Sequence, residues 1–157
     1  MGLTAMCRRT LVVLLSFLVV LSAPLGAAGT ITQSTYGFGN VRKIVFTATA
    51  DASDGSFPAT AITLKFEGRI LAIATNPGAT APTDNYDITL VNQHGHDVLQ
   101  GVGANRDTSN TEQAPVLYTS TGTHPAVDET DTLTLTIANN AVNSAIVVIE
   151  IYYALGG

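Results

Sequence analysis

Apolar and polar residues alternate along most of the chain after residue 40. In the segment VRKIVFTATA (residues 41–50), Ile44, Phe46 and Ala48 fall on one side, while Lys43 and the threonines fall mainly on the other. Successive side chains of a β-strand point to opposite faces, so a period of two is typical of a strand with one buried face. The segment therefore predicts a strand whose Ile44, Phe46 and Ala48 face a core.

Further segments with strand character follow along the chain. They are residues 59–68, 69–75, 86–92, 97–103, 131–138 and 144–155. The segment 97–103 is predicted to be the partner strand of 86–92. Residues 131–138 and 144–155 flank NNAVN, so they predict the clearest hairpin of the chain. The segment 144–155 is apolar on both faces, which indicates a central strand or one covered by a partner.

Turn residues separate these segments. Residues 51–56 (DASDGS) predict a tight bend at Asp54-Gly55, and the Pro and Gly content of residues 76–85 predicts a loop. Residues 104–127 are polar and irregular, and are the longest predicted loop. With no helical period after the N-terminal segment, about eight short strands predict an all-β fold, namely a single antiparallel β-sandwich of jelly-roll type.

The first 28 residues have a different composition. Arg8 and Arg9 precede an apolar run over residues 11–21, and the small residues Gly26 and Ala28 follow. This layout is typical of a secretory signal peptide, and the run is shorter than the ~20 residues of a membrane span. We therefore expect a cleaved signal at 1–28 and a sandwich domain at 29–157. A retained anchor and a misassigned start codon remain the alternatives.

Charge and cysteine content narrow the set of partners. After residue 28, five basic side chains stand against twelve acidic ones, a net charge of −7. Such a domain does not attract nucleic acid or anionic lipid nonspecifically, so any membrane contact is expected only through an uncleaved N-terminal segment. The single cysteine, Cys7, lies in that segment, so the domain is expected to hold neither a disulfide nor a thiolate metal site.

The segment QHGHD contains two of the three histidines. A metal site would use His94, His96 and Asp97 as ligands. The alternative is a hairpin in which Gly95 takes the positive φ of a tight turn and the histidines sit at an exposed tip. We favour the hairpin, because the glycine between the histidines lies at the bend and the remaining histidine, His124, lies in the long loop.

Other chemistry-bearing patterns are weak. Asp128, Glu129 and Asp131 form a small acidic cluster that is suited to calcium, but a solvated turn before a strand has the same composition. The sequence has no phosphate-binding glycine loop and no Gly-x-Ser-x-Gly nucleophile motif. We therefore expect no cofactor and no catalytic activity.

Three segments of the chain carry a resemblance. NVRKIVFTATADASDG, TNPGATAPTDNYDITLVNQHGHDVLQGVGANRDTSNTEQ and LTLTIANNAVNSAIVVIEIYY resemble small β-rich proteins encoded by tailed bacteriophages among their virion structural genes. The resemblance implies a virion-associated role without catalytic residues. It also implies an acidic glycine turn at QHGHD, in agreement with the hairpin. The signal-like segment departs from this pattern, since virion proteins normally assemble in the cytoplasm.

The leading hypothesis is a structural or decoration-type protein that acts through contacts with itself and with other structural proteins. We expect a homo-oligomer, with a trimer as the first size to test. The candidate interface residues lie in the long loop and in the last strand, and are Asn105, Arg106, Val116, Ile146, Val148 and Tyr152. The alternative is a secreted module that binds carbohydrate or calcium. The location is extracellular if the signal is used, and the virion otherwise.

Overall fold

The structure is a computed structural model that describes residues 27–63 and 67–156. Residues 1–26 of the predicted signal segment lie outside this range. The described residues form nine strands: β1 Thr30–Phe38, β2 Val41–Thr49, β3 Thr60–Thr63, β4 Gly68–Pro77, β5 Asp87–Val91, β6 Glu112–Pro115, β7 Ala126–Val127, β8 Thr132–Ala138 and β9 Ile146–Leu155. No helix in this part of the chain is long and apolar enough to cross a membrane.

The strands form two antiparallel sheets that pack face to face. The larger sheet has the order β1-β2-β9-β4-β6, with β7 paired to the start of β4, and the smaller sheet has the order β3-β8-β5. The pairs are nested along the chain: β2 pairs with β9, β3 with β8 and β4 with β6, and Tyr86 bridges to Arg106. Nested pairs that wind over two sheets define a jelly-roll sandwich. The predicted all-β sandwich is confirmed.

The core lies between the two sheets, and the predicted alternation decides which side chains fill it. Ile44, Phe46 and Ala48 of β2 are buried, and from the smaller sheet so are the alternate residues Ile88, Leu90, Leu133, Leu135 and Ile137. In β9 the residues at 147, 149, 151 and 153 are buried, while those at 146, 148, 150 and 152 are half-buried on the outer face. The strand lies between β2 and β4, so the prediction of a central strand is confirmed.

The predicted hairpin of the last two strands is wrong. β8 pairs with β3 and β5 in the smaller sheet, whereas β9 pairs with β2 and β4 in the larger one. The connection crosses between the sheets, and the Asn140 side chain holds it by donating to the carbonyls of Gly55 and Val142. Both strands have a strongly apolar face, and these faces oppose each other across the core instead of lying side by side.

The predicted partner strand at residues 97–103 is also wrong. The segment forms successive turns, and Val98 and Leu99 are both buried although they are neighbours in sequence. Gln100 and Gly101 have positive φ values of 56° and 77°, so the backbone is not extended. Three strands lie where the sequence pattern predicts none. The predicted loop 104–127 contains β6 and β7, and β1 precedes the first predicted strand.

Candidate interaction surface on the larger sheet

A row of three side chains crosses the outer face of the larger sheet. Tyr36 of β1 pairs in register with Lys43 of β2, and Lys43 pairs with Tyr152 of β9. The Lys43 ammonium lies 5.8 Å from the centroid of each tyrosine ring. Cations at this distance from an aromatic ring are attracted to its face. The row therefore links three strands through one central cation.

Glu150, also on β9, fixes the cation in place. Its carboxylate accepts a hydrogen bond from Lys43 Nζ at 2.7 Å and another from the Tyr152 hydroxyl at 2.5 Å. The hydrogen bond from Lys43, and to a smaller extent that from Tyr152, lowers the pKa of Glu150. The hydrogen bond between Lys43 and Glu150 also raises the pKa of Lys43. The pKa of Tyr152 is raised, chiefly by its hydrogen bond to the carboxylate. Both members of the pair therefore stay charged across the neutral range.

Two large hydrophobic side chains are exposed to solvent in and beside this row. Tyr36 is 56% exposed and Val41 is 50% exposed, and these are the large exposed hydrophobic residues of the described chain. Together with Arg42, Lys43 and Tyr152 they line a shallow depression of about 270 Å³. Tyr36, Val41, Lys43 and Tyr152 share the outer face of the sheet by their register, and we call these four residues the outer-sheet surface. Exposed tyrosine beside an exposed aliphatic residue is typical of protein–protein contact sites.

The predicted interface residues are divided between the surface and the core. Ile146, Val148 and Tyr152 are half-buried on the outer face, and Asn105 is exposed at a turn away from it. Arg106 and Val116 are only 5% and 0% exposed. Their side chains are therefore unavailable to a partner, and the interpretation of these two as interface residues is corrected.

The sequence reasoning missed three members of the outer-sheet surface, namely Tyr36, Val41 and Lys43. The segment TITQSTYGF contains few aliphatic residues, so its alternation is weak. A two-residue turn at Gly39-Asn40 before a clear strand was the available signal, because such a turn predicts a preceding partner strand. Given that strand, Tyr36 falls opposite Lys43.

The QHGHD segment is the tip of a turn, as predicted. Gly95 has φ +82°, and its amide donates to the Asn92 carbonyl at 2.9 Å. The amide of Asn92 donates to the carbonyl of His96 at 2.9 Å, which closes the turn. The Asn92 side chain accepts from the backbone amides of His94 and His96 at 3.1 and 3.0 Å, and both histidines are exposed.

Asp97 has a structural role in the same turn. Its carboxylate accepts hydrogen bonds from the amides of Leu90, Leu99 and Gly101 at 3.0 to 3.1 Å. The third histidine, His124, lies 2.7 Å from the Val116 carbonyl oxygen through Nδ1. Within residues 27–63 and 67–156, no three His, Cys, Asp or Glu side chains come together as metal ligands. The geometry of this turn is therefore that of a backbone cap.

The acidic cluster near β8 borders a cleft at one end of the sandwich. Glu67, Arg69, Asp128 and Asp131 contribute to its lining, and its volume is about 470 Å³. Asp128 accepts hydrogen bonds from the hydroxyl and amide of Thr130, which lower its pKa. Asp131 accepts from the amide of Asp128 and from the Gln93 side chain. The side chains of Asp128 and Asp131 thus accept hydrogen bonds within the turn before β8, while Glu129 is exposed.

Replacement of Asp97 with alanine is expected to lower the free energy of unfolding by about 2 kcal/mol, since three backbone amides lose their side-chain acceptor. Two of these amides belong to the buried residues Leu90 and Leu99. Urea denaturation measures the loss. The double variant His94→Ala/His96→Ala is the control, and we expect it to stay within about 0.5 kcal/mol of the native chain because both side chains are exposed. A larger loss of unfolding free energy in the double histidine variant than in Asp97→Ala would contradict the role of Asp97 as a backbone cap.

Comparison with solved structures gives a structural likeness. No protein-family model and no curated protein matches the chain. Among solved structures, the chain is similar to a chain of the cyanophage Pam1 capsid asymmetric unit, with 20% sequence identity and a TM-score of 0.37. The match covers 87% of this chain and 93% of that chain. At this TM-score the likeness is weak and carries no argument about function or partners.

Proposed function

We propose that this chain is a non-enzymatic structural or decoration-type protein that acts through protein–protein contacts in a phage virion or surface assembly. The observation that supports this most is the outer-sheet surface, where Tyr36 and Val41 are exposed beside the Lys43–Glu150 ion pair. Hydrogen bonds to Glu150 already hold Lys43 and Tyr152, so these two side chains lose little entropy on contact, which favours binding to another protein.

The virion location is supported by the sequence resemblance to proteins encoded among tailed-phage structural genes. The most specific part of that resemblance, PTDNYDITLVNQHGHDVLQGVGANR, covers β5, the turn at Gly95 and the turns that follow it. These residues build the fold, so the resemblance concerns architecture. Jelly-roll sandwiches occur in viral capsid proteins and in lectins alike, and the fold alone does not distinguish them.

Particle association is the direct test. Mass spectrometry of cells, soluble secretome and gradient-purified particles measures both the copy number and the N-terminal peptide of the chain. The proposal expects a high copy number in particles. A chain that starts near Gly29 and occurs only in the soluble secretome would refute the virion role.

The double variant Tyr36→Ser/Val41→Ser is expected to lower the copy number in particles at least about tenfold, since it removes the two exposed apolar residues of the contact. Val91→Ser, on the outer face of the smaller sheet, is the matched control and is expected to leave the copy number unchanged. Equal losses in both variants would argue against the outer-sheet surface as the contact.

A secreted calcium-binding module is the second candidate, because Glu67, Asp128 and Asp131 all contribute to the lining of one cleft, although no three acidic side chains of the described residues are grouped as metal ligands there. A ligand that binds only the folded state raises the melting temperature. The structural role predicts no saturable rise with calcium. A rise that Asp131→Ala abolishes would favour the module.

A further inference from the structure

β1 has a bare hydrogen-bonding edge. It pairs with β2 over nine consecutive positions without a bulge, from Thr30 opposite Thr49 to Phe38 opposite Val41. It stands at the end of the strand order, so its other side has no strand beside it among the described residues. In an antiparallel ladder every second residue turns its amide and carbonyl away from the partner strand. A regular row of donors and acceptors is therefore open along β1.

This edge has none of the usual protections. The sequence of β1, TITQSTYGF, contains no charged residue and no proline. Natural sheets block their edges with lysine, proline, bulges or very short strands, because a bare edge is a template for another strand. β1 is long, regular and neutral, so it can accept one.

The other edges of the described sandwich are blocked. β6 has four residues, and Glu112 and Pro115 are its ends. The free side of β5 is covered by the turns that follow it: the amides of Val98 and Arg106 donate to Leu90 and Tyr86, and the amide of Ile88 donates to Gly103. β3 has only four residues. Among the described strands, β1 is therefore the long edge left open.

We propose that β1 pairs antiparallel with β1 of a second copy of this chain about a two-fold axis, which joins the two larger sheets into one. The inference goes beyond the proposed function, because it concerns a strand edge and not the outer-sheet surface. A second copy can occupy the edge because TITQSTYGF carries no charge, so two β1 strands can pair without like charges opposed, although the chain as a whole has a net charge of −5.

The sequence of β1 is compatible with itself in this arrangement. With the axis at Ser34, Tyr36 lies opposite Thr32 of the partner subunit, which is a favourable aromatic and β-branched pair. Gln33 lies opposite Thr35 of the partner subunit, and both are exposed in the single chain. A ladder of this size buries less than a standard interface, so we expect a dimer that forms with rising concentration. The two-fold contact gives even-numbered assemblies, in contrast to the trimer predicted from the sequence.

Sedimentation velocity over a range of concentrations tests the pairing. Ser34→Lys places like charges opposite each other near the axis and is expected to leave the chain monomeric. Thr47→Lys is the matched control, because Thr47 is exposed on the same face of the neighbouring strand β2. The control is expected to dimerise as the native chain does. Circular dichroism and thermal melting establish that both variants are folded.

Cross-linking gives an independent readout of the same contact. In a chain with Cys7→Ser, the variant Ser34→Cys is expected to form a disulfide dimer on mild oxidation, because the Cβ atoms of residues directly opposite each other approach to about 4.5 Å, the upper end of the separation that a disulfide spans. Thr47→Cys is expected to stay monomeric. A native chain that is monomeric at every concentration, or an assembly that persists in Ser34→Lys without the Ser34→Cys cross-link, would overturn the pairing. A strand of another protein would then be the alternative occupant of the edge.

Discussion

Replacement of Gly103 with alanine is expected to lower the free energy of unfolding by about 3 kcal/mol or more. A Cβ atom at this position would lie 2.2 Å from the carbonyl oxygen of Ile88, which is backbone and not a flexible side chain. The Gly103 carbonyl also accepts a hydrogen bond from the amide of Ile88 at 2.8 Å, so the two backbones cannot separate without losing it. Urea denaturation with native and variant chains measures the difference.

Gly101→Ala is the control for this prediction. Gly101 has φ +77°, and no described atom lies within 4 Å of the position that a Cβ would take, so alanine meets backbone strain but no overlap. Strain of this kind costs about 1 kcal/mol. Equal losses at the two positions would mean that conformation, and not the close approach of residue 103 to β5, limits the substitution.

Arg106→Ala is expected to cost about 3 kcal/mol of stability, since the substitution empties a buried site and leaves polar partners unsatisfied. The guanidinium Nε donates to the Thr75 hydroxyl at 3.2 Å and lies 3.3 Å from a Glu112 carboxylate oxygen. Nη1 donates to the Val102 carbonyl at 3.0 Å. The arginine therefore ties the turns after β5 to β4 and β6, and its loss is expected to weaken that end of the sandwich.

Arg42→Ala is the matched variant, because Arg42 is exposed at the start of β2. We expect it to stay within about 0.5 kcal/mol of the native chain. Thermal melting and sedimentation on both variants separate a core role from an interface role. A change of assembly size in Arg106→Ala without loss of stability would restore the original interface hypothesis for this residue.

The correct predictions rest on local patterns. Phe46, Leu90 and Leu135 are all buried on the face that the alternation assigned to them. The turn at Gly95 was also predicted correctly, because glycine at a tight bend is a local requirement. In each case the information lies within about ten residues of chain, which is the range over which a period of two can be recognised.

The wrong predictions concern partners and surroundings. The short turn between β8 and β9 predicts a hairpin, yet the two strands belong to different sheets. Residues 97–103 have strand composition, but Val98 and Leu99 are both drawn into the core as turns cover the edge of β5. Arg106 lies in a segment that the sequence predicts as a loop open to a partner. Its burial depends on Thr75 of β4 and Glu112 of β6, and no local pattern shows that these strands lie beside it.

The sequence by itself determined the class of fold, the buried face of most strands and the absence of any recognisable catalytic motif, because side-chain periodicity and motif spacing are read along the chain. Only the tertiary structure decided which strands pair, which edge stays open and which side chains meet. Tyr36, Lys43 and Tyr152 form a row because β1, β2 and β9 lie side by side, although Lys43 and Tyr152 are separated by more than half of the chain. Hydrogen-bond pairing between strands is nonlocal, so no single segment of the sequence predicts the outer-sheet surface or the bare edge of β1.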